Sequence, residues 1–164
     1  MWCHALPVRF KYAVGSQGRV VVARLQPGTD IIEGIEKLCD ELNIDHAYVD
    51  VGTGTLSKAT IMYFVPNPNV KLGASYSPPK EVVGPLSFLG GSGVVGRDEK
   101  GGRLTHIHGA VCDQWGHVHG GHLVKGGNPI LVTSDVVIVE LKGVKITKRY
   151  DAEIDFSPLE PEQA

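Results

Sequence analysis

The sequence predicts an α+β domain, a mostly antiparallel and strongly bent β-sheet with one early flanking helix. Three observations predict it. A single segment, Asp30 to Asn43, carries helical periodicity. The rest is a succession of β-branched runs separated by short turn-forming stretches. The chain also holds 21 glycines, many of them after position 84, which favours strands that bulge and bend.

Arg19 to Leu25 (RVVVARL) reads as a buried strand bounded by Gly18 and Pro27-Gly28. Asp30 then caps a helix, with Glu33 at the capping-box position and Asn43 at its end. Ile31, Ile35, Leu38, Cys39 and Leu42 form its apolar face, so Cys39 is expected in the core. His46 to Val51 alternates as a strand, Gly52-Thr53-Gly54 breaks it, and Ala59 to Val65 forms the next one. The Gly-Thr-Gly triplet lacks the remainder of a phosphate-binding loop and is read as a strand-to-strand turn. Pro66 to Pro79, with four prolines, reads as a loop. Val82 to Val95 follows as a long, glycine-bent strand. Arg97 to Gly102 turns the chain into Leu104 to Cys112, and Asp113 to Gly116 turns it again. Ile130 to Leu141 and Val144 to Tyr150 close the domain.

Composition bounds the function. A chain of 164 residues suits one domain with a real core. No run reaches the roughly 18 apolar residues of a membrane span, and the N-terminus lacks a signal-peptide pattern. Cys3, Cys39 and Cys112 are an odd, well-spaced set that makes no disulfide framework, so a reducing cytoplasmic setting is expected. Net charge is −2, and residues 151–164 hold five acids and no base, which reads as a solvated acidic tail. The remaining 16 basic and 13 acidic side chains leave the body only mildly basic, short of a phosphate-binding surface.

Five of the seven histidines lie between His106 and His122. His106 and His108 are two residues apart, so in a strand both imidazoles project from one face. An antiparallel return after Asp113 to Gly116 could bring His122 beside them. Three neutral nitrogens with an open fourth position describe a ligand-accepting zinc site. His106, His108 and His122 are therefore the candidate metal ligands, for zinc or another divalent ion. His117 and His119 share a face near the turn and are read as surface residues or supports behind the ligands. His4, His46 and Cys112 are read as structural. Glu81, Arg103 and Asp113 are the nearest candidates for an acid, base or positioning group, and each is expected as a solvated loop residue.

The runs Gly84-Pro-Leu-Ser-Phe-Leu-Gly-Gly-Ser-Gly, Leu104-Thr-His-Ile-His-Gly-Ala-Val and Asp113-Gln-Trp-Gly-His-Val-His-Gly-Gly-His-Leu-Val-Lys-Gly resemble the PPC (plants and prokaryotes conserved) domain. Thr133 to Val137 is similar to a further strand of that family, with Asp135 at its acidic position. The resemblance covers residues 6–150, leaving 151–164 as the tail. It implies a homotrimer with possible protein partners or a small ligand. In plants the domain follows AT-hooks that bind the DNA minor groove. This chain has no Arg-Gly-Arg-Pro core, so the sequence gives DNA binding no support. The fold is also similar to that of acetolactate decarboxylase, which holds zinc with an HxH pair and a later histidine. The expectation is a stand-alone trimeric binding or regulatory protein with a three-histidine zinc site. The alternatives are a zinc enzyme on a small carbonyl or carboxylate, and a DNA-binding protein; no catalytic residue is assigned.

Overall fold

The computed structural model describes residues 8–164. His4 and Cys3 lie outside them. In chain order the elements are β1 (Ser16–Leu25), α1 (Ile31–Glu41), β2 (Ala47–Met62), β3 (Phe64–Pro66), β4 (Ala74–Tyr76), β5 (Lys80–Arg97), β6 (Arg103–Cys112), β7 (Val118–Leu123), β8 (Ile130–Lys142), β9 (Val144–Lys148) and β10 (Leu159–Gln163). Eight strands form one sheet in the order β1-β8-β2-β7-β6-β5-β9-β10, and β2 also pairs β5. The pairs β2–β5, β5–β6, β6–β7 and β7–β2 therefore close a ring, and β1 and β8 extend from it. All but one of the pairings in the eight-stranded sheet are antiparallel; β5 meets β9 in parallel at Arg97 and Thr147. No helix is long and apolar enough to cross a membrane among the described residues.

A ring this small needs strands that approach closely and curve. Gly91 on β5, Gly109 on β6 and Gly121 on β7 are register partners, so three adjacent strands carry glycine in one row. The buried Phe88 ring lies under Gly91 and Gly109, while Gly121 sits against the Met62 backbone of β2. A Cβ added at Gly109 would sit 2.9 Å from Phe88 Cζ, and one at Gly91 3.1 Å from the same atom. Any side chain there would push the ring out or the strands apart.

The helix closes the core. Asp30 Oδ1 accepts from the backbone N–H groups of Ile32 and Glu33 at 3.0 and 3.1 Å, while Oδ2 accepts from Asn128 N at 2.7 Å. One buried carboxylate thus caps α1 and ties it to the segment leading into β8. Ile31, Ile32, Ile35 and Cys39 pack into a continuous core with Leu56, Phe88, Ile107, Leu123 and Ile138. Cys39 is buried as its helical position predicts, and burial pushes its thiol up to about 11. Asn43 follows the helix in the left-handed region at φ 51°, a conformation asparagine tolerates.

Four expectations are corrected. β1 is not a buried strand: Val20 and Val22 are exposed, and only Leu25 at its end is buried. Gly52-Thr53-Gly54 does not end a strand: β2 runs through it without a break, and Gly54 packs against Ser134 of β8 where a Cβ would come within 2.8 Å. Glycine here marks close approach of neighbouring backbone and shifts in register, which mimic a turn in sequence. The proline-rich stretch contains a small hairpin, β3–β4. Residues 151–164 are no free tail. Leu159–Gln163 pairs with β9, and its acids find cations: Glu162 takes Arg149 at 2.8 Å, and Glu160 takes Lys11. Glu153 pairs with Arg9 at 2.6 Å. The charge that suggested solvation is matched by bases distant in sequence.

Asp30→Ala removes the helix cap and leaves the Asn128 N–H without its acceptor. The variant should lose about 2 kcal/mol of folding stability, read as a lower urea midpoint at unchanged m-value.

Candidate metal centre

The register of three strands builds the site. His106 and His108 occupy alternate positions of β6 and share its outer face. His108 and His122 are direct register partners on β6 and β7. The row continues outward, since His108 also faces Ser92 of β5 and His122 faces Met62 of β2. Ring centroids lie 4.9 Å apart for His106 and His108, 4.7 Å for His106 and His122, and 5.6 Å for His108 and His122. One nitrogen from each ring falls within 4.8 Å of the others. Modest side-chain rotation would bring them to the roughly 3.4 Å spacing of neighbouring ligands around a tetrahedral zinc.

Electrostatics favours neutral rings. Burial first, then repulsion from His106 and His108, brings His122 down to about 4. Burial also lowers His106, helped by His108 and by the Lys148 ammonium. Neutral imidazole is the form that binds metal. His122 Nδ1 is buried with no hydrogen-bond partner, an orphaned ring nitrogen of the kind coordination satisfies. These residues fit a divalent ion such as zinc.

A cavity of about 670 Å³ opens beside the cluster. It exists because β7 leaves β6 at His108 to meet the end of β2, so Arg103 to Ile107 have no β7 partner. His106 and His122 form part of its wall, with Tyr76, Lys148 and residues 156–159. Tyr76 and Lys148 carry no motif and were not singled out in sequence. The Tyr76 ring lies 5.4 Å from that of His122.

The other candidates go elsewhere. His119 pairs opposite Val111, an odd offset from His122 that puts it on the other face of β7. The structure does not bring His117 or His119 to the cluster. Both face Asp113 Oδ2, at 3.3 and 3.1 Å, next to a smaller cavity of about 270 Å³ that Trp115 also lines. Asp113 itself is corrected: its side chain is only 7% exposed. Its Oδ1 accepts from the N–H groups of Trp115 and His117 and so shapes the hairpin turn. Burial raises the Asp113 carboxyl, but His119 and these backbone donors outweigh it and hold it at about 2. Arg103 is likewise no solvated residue: its side chain is 8% exposed, bound to Asp40 and to the Ile44 carbonyl at 2.7 Å each. Glu81 is half-exposed and paired with Lys58, as a surface residue would be. Cys112 is half-buried rather than core, with its thiol on the Asp113 carbonyl. His46 is structural, its Nδ1 accepting from Ile146 N at 3.1 Å.

Known proteins share this fold. The chain is similar to a metal-containing protein of Archaeoglobus fulgidus, with 25% identity and TM-score 0.76 over 92% of this chain and 99% of that one. It is similar to a plant- and prokaryote-conserved protein of Pyrococcus horikoshii, with 24% identity and TM-score 0.73 over 94% and 100%. A structure from Ralstonia eutropha, described as a candidate DNA-binding protein, matches with 22% identity and TM-score 0.68 over 84% and 88%. No curated protein matches. The model of the Plants and Prokaryotes Conserved (PCC) domain matches residues 12–142, from before β1 to the end of β8 with the histidine cluster inside, and the chain belongs to that family.

Proposed function

We propose that this chain is a trimeric metal-binding module in which His106, His108 and His122 hold one zinc ion with a coordination position open to the adjoining cavity. The observation that carries the reading is the convergence of three imidazoles on one sheet face, two of them, His106 and His122, lining that cavity. The Archaeoglobus relative's description as metal-containing supports it. Zinc bound there would supply a Lewis acid able to hold and polarise an oxygen ligand. The chain's own residues set an apolar wall with a lysine beside it.

The trimer rests on an apolar face as well as on resemblance. Val20, Val139, Tyr48, Val94 and His106 are successive register partners across β1, β8, β2, β5 and β6. Cross-strand partners point to one face, so an apolar band runs from the sheet edge to the cluster. Val20, Val22 and Tyr48 are exposed, a surface suited to a subunit contact. The cavity also favours a second reading, a zinc enzyme acting on a small carbonyl or carboxylate compound. DNA binding has only the descriptions of distant relatives behind it. A salt-sensitive gel shift at about 50 mM salt would revive it.

Protein purified without a nickel column should carry about one zinc per chain by elemental analysis. His108→Ala should carry none while keeping its circular-dichroism spectrum and trimer mass in light scattering. Full zinc content in that variant would remove the site. A monomer mass would remove the trimer.

The metal-free chain should lose stability as pH falls from about 6.5 to about 4. His122 takes its proton near 4 in the fold and near 6.5 unfolded, so the unfolded chain binds more protons in that window. His122→Gln should flatten this decline in the urea midpoint. Zinc should flatten it too, because a liganded imidazole does not titrate there.

A further inference from the structure

We propose that the cavity takes a small organic carboxylate with an apolar body, its head between the metal and the Lys148 ammonium and its body against Phe156 and Leu159. This rests on the metal reading and names the ligand that the open position accepts.

Charge balance selects an anion. Three cations line the cavity. Lys125 is answered by Glu36 at 2.5 Å, and Arg103 by Asp40 at 2.7 Å. Lys148 has no acidic partner among the described residues. It lines the cavity together with His106 and His122. A divalent ion on three neutral histidines would add two more positive charges beside it, with no carboxylate in the cluster to offset them. A ligand oxygen carrying negative charge answers both.

The other wall selects the body. Leu159 is the register partner of Lys148 in the β9–β10 ladder, so an apolar and a cationic side chain share one face of the ladder and both line the cavity. Phe156 extends that wall. An aromatic series joins it to the cluster: Phe156 to Phe64 at 6.3 Å, Phe64 to Tyr76 at 4.6 Å, and Tyr76 to His122 at 5.4 Å. The cavity volume of about 670 Å³ falls within the range of small-molecule sites. Lys148, Phe156 and Leu159 all lie beyond the family-matched residues 12–142. The metal ligands belong to the shared domain, and the selecting wall belongs to this chain's C-terminal segment.

The test titrates zinc-loaded full-length protein calorimetrically with 3-phenylpropionate, its neutral amide and acetate. Zinc content is measured beforehand. The acid should bind at least about tenfold more tightly than the amide or acetate. Lys148→Gln, a change at an exposed site, should weaken the acid about tenfold at unchanged zinc content. Phe156→Ala should weaken the acid severalfold while the thermal transition stays cooperative. With cobalt in place of zinc, the carboxylate should change the visible spectrum by entering the coordination sphere. Equal affinity for acid and amide, or a Lys148→Gln variant that binds as the parent does, overturns this inference and leaves the metal reading standing. A chain that takes up no metal overturns both.

Discussion

The close approach of β5, β6, β7 and β2 along one glycine row is the constraint on which the rest depends. Gly91, Gly109 and Gly121 lie side by side in register; the Phe88 ring packs against the first two, and the Met62 backbone of β2 closes on the third. Without that row the three strands could not curve tightly enough for β7 to reach the end of β2. The ring of strands would open, and the core of Leu56, Ile107 and Leu123 would face water. Glycine inside a strand ordinarily weakens it through backbone entropy. Here close packing over a large buried ring offsets that cost.

The same row fixes the chemistry. The residue after Gly121 on β7 and the residue before Gly109 on β6 are His122 and His108, so register that aligns the glycines also aligns these imidazoles. A one-residue slip would send His122 to the opposite face. It would also set a side chain of β6 or β7 against the neighbouring backbone where glycine now sits. Fold and site are specified by one alignment. The departure of β7 from β6 beyond His108 then opens the cavity on the side where His106 stands.

Much of this was legible in sequence for definite reasons. The cap at Asp30, the apolar helix face, the HxH spacing and the return of His122 all follow from local periodicity and one hairpin. What was hidden depends on long-range pairing. Gly52-Thr53-Gly54 reads as a turn because glycine permits one, and only the neighbouring β8 backbone shows that it is a site of close approach. Arg103 reads as solvated because it flanks a turn, and Asp40 and the Ile44 carbonyl, 63 and 59 residues away, bury it. Asp113 is the local exception, enclosed by Trp115, His117 and His119 of its own hairpin. The acidic C-terminal segment looked free because Lys11 and Arg9 are more than 140 residues away from the acids they meet. Tyr76 and Lys148 reach the cluster from separate strands with no motif to announce them.

The metal-free site is in tension, and that tension is the physical ground for the metal proposed there. The three ring centroids lie 4.7 to 5.6 Å apart; besides burial, His106 and His108 oppose protonation of His122, and His108 and Lys148 oppose that of His106. Deprotonation relieves the charge but leaves buried His122 Nδ1 without a hydrogen-bond partner. Neither protonation state satisfies the cluster, so its neutral lone pairs are best answered by an external cation. Any ion that binds the folded arrangement and not the unfolded chain stabilises the fold in proportion to its affinity. Once a divalent ion is there, the excess positive charge passes to the cavity, where Lys148 already lacks a counter-ion. On the proposed reading the metal and the anion are linked, and the second follows physically from the first.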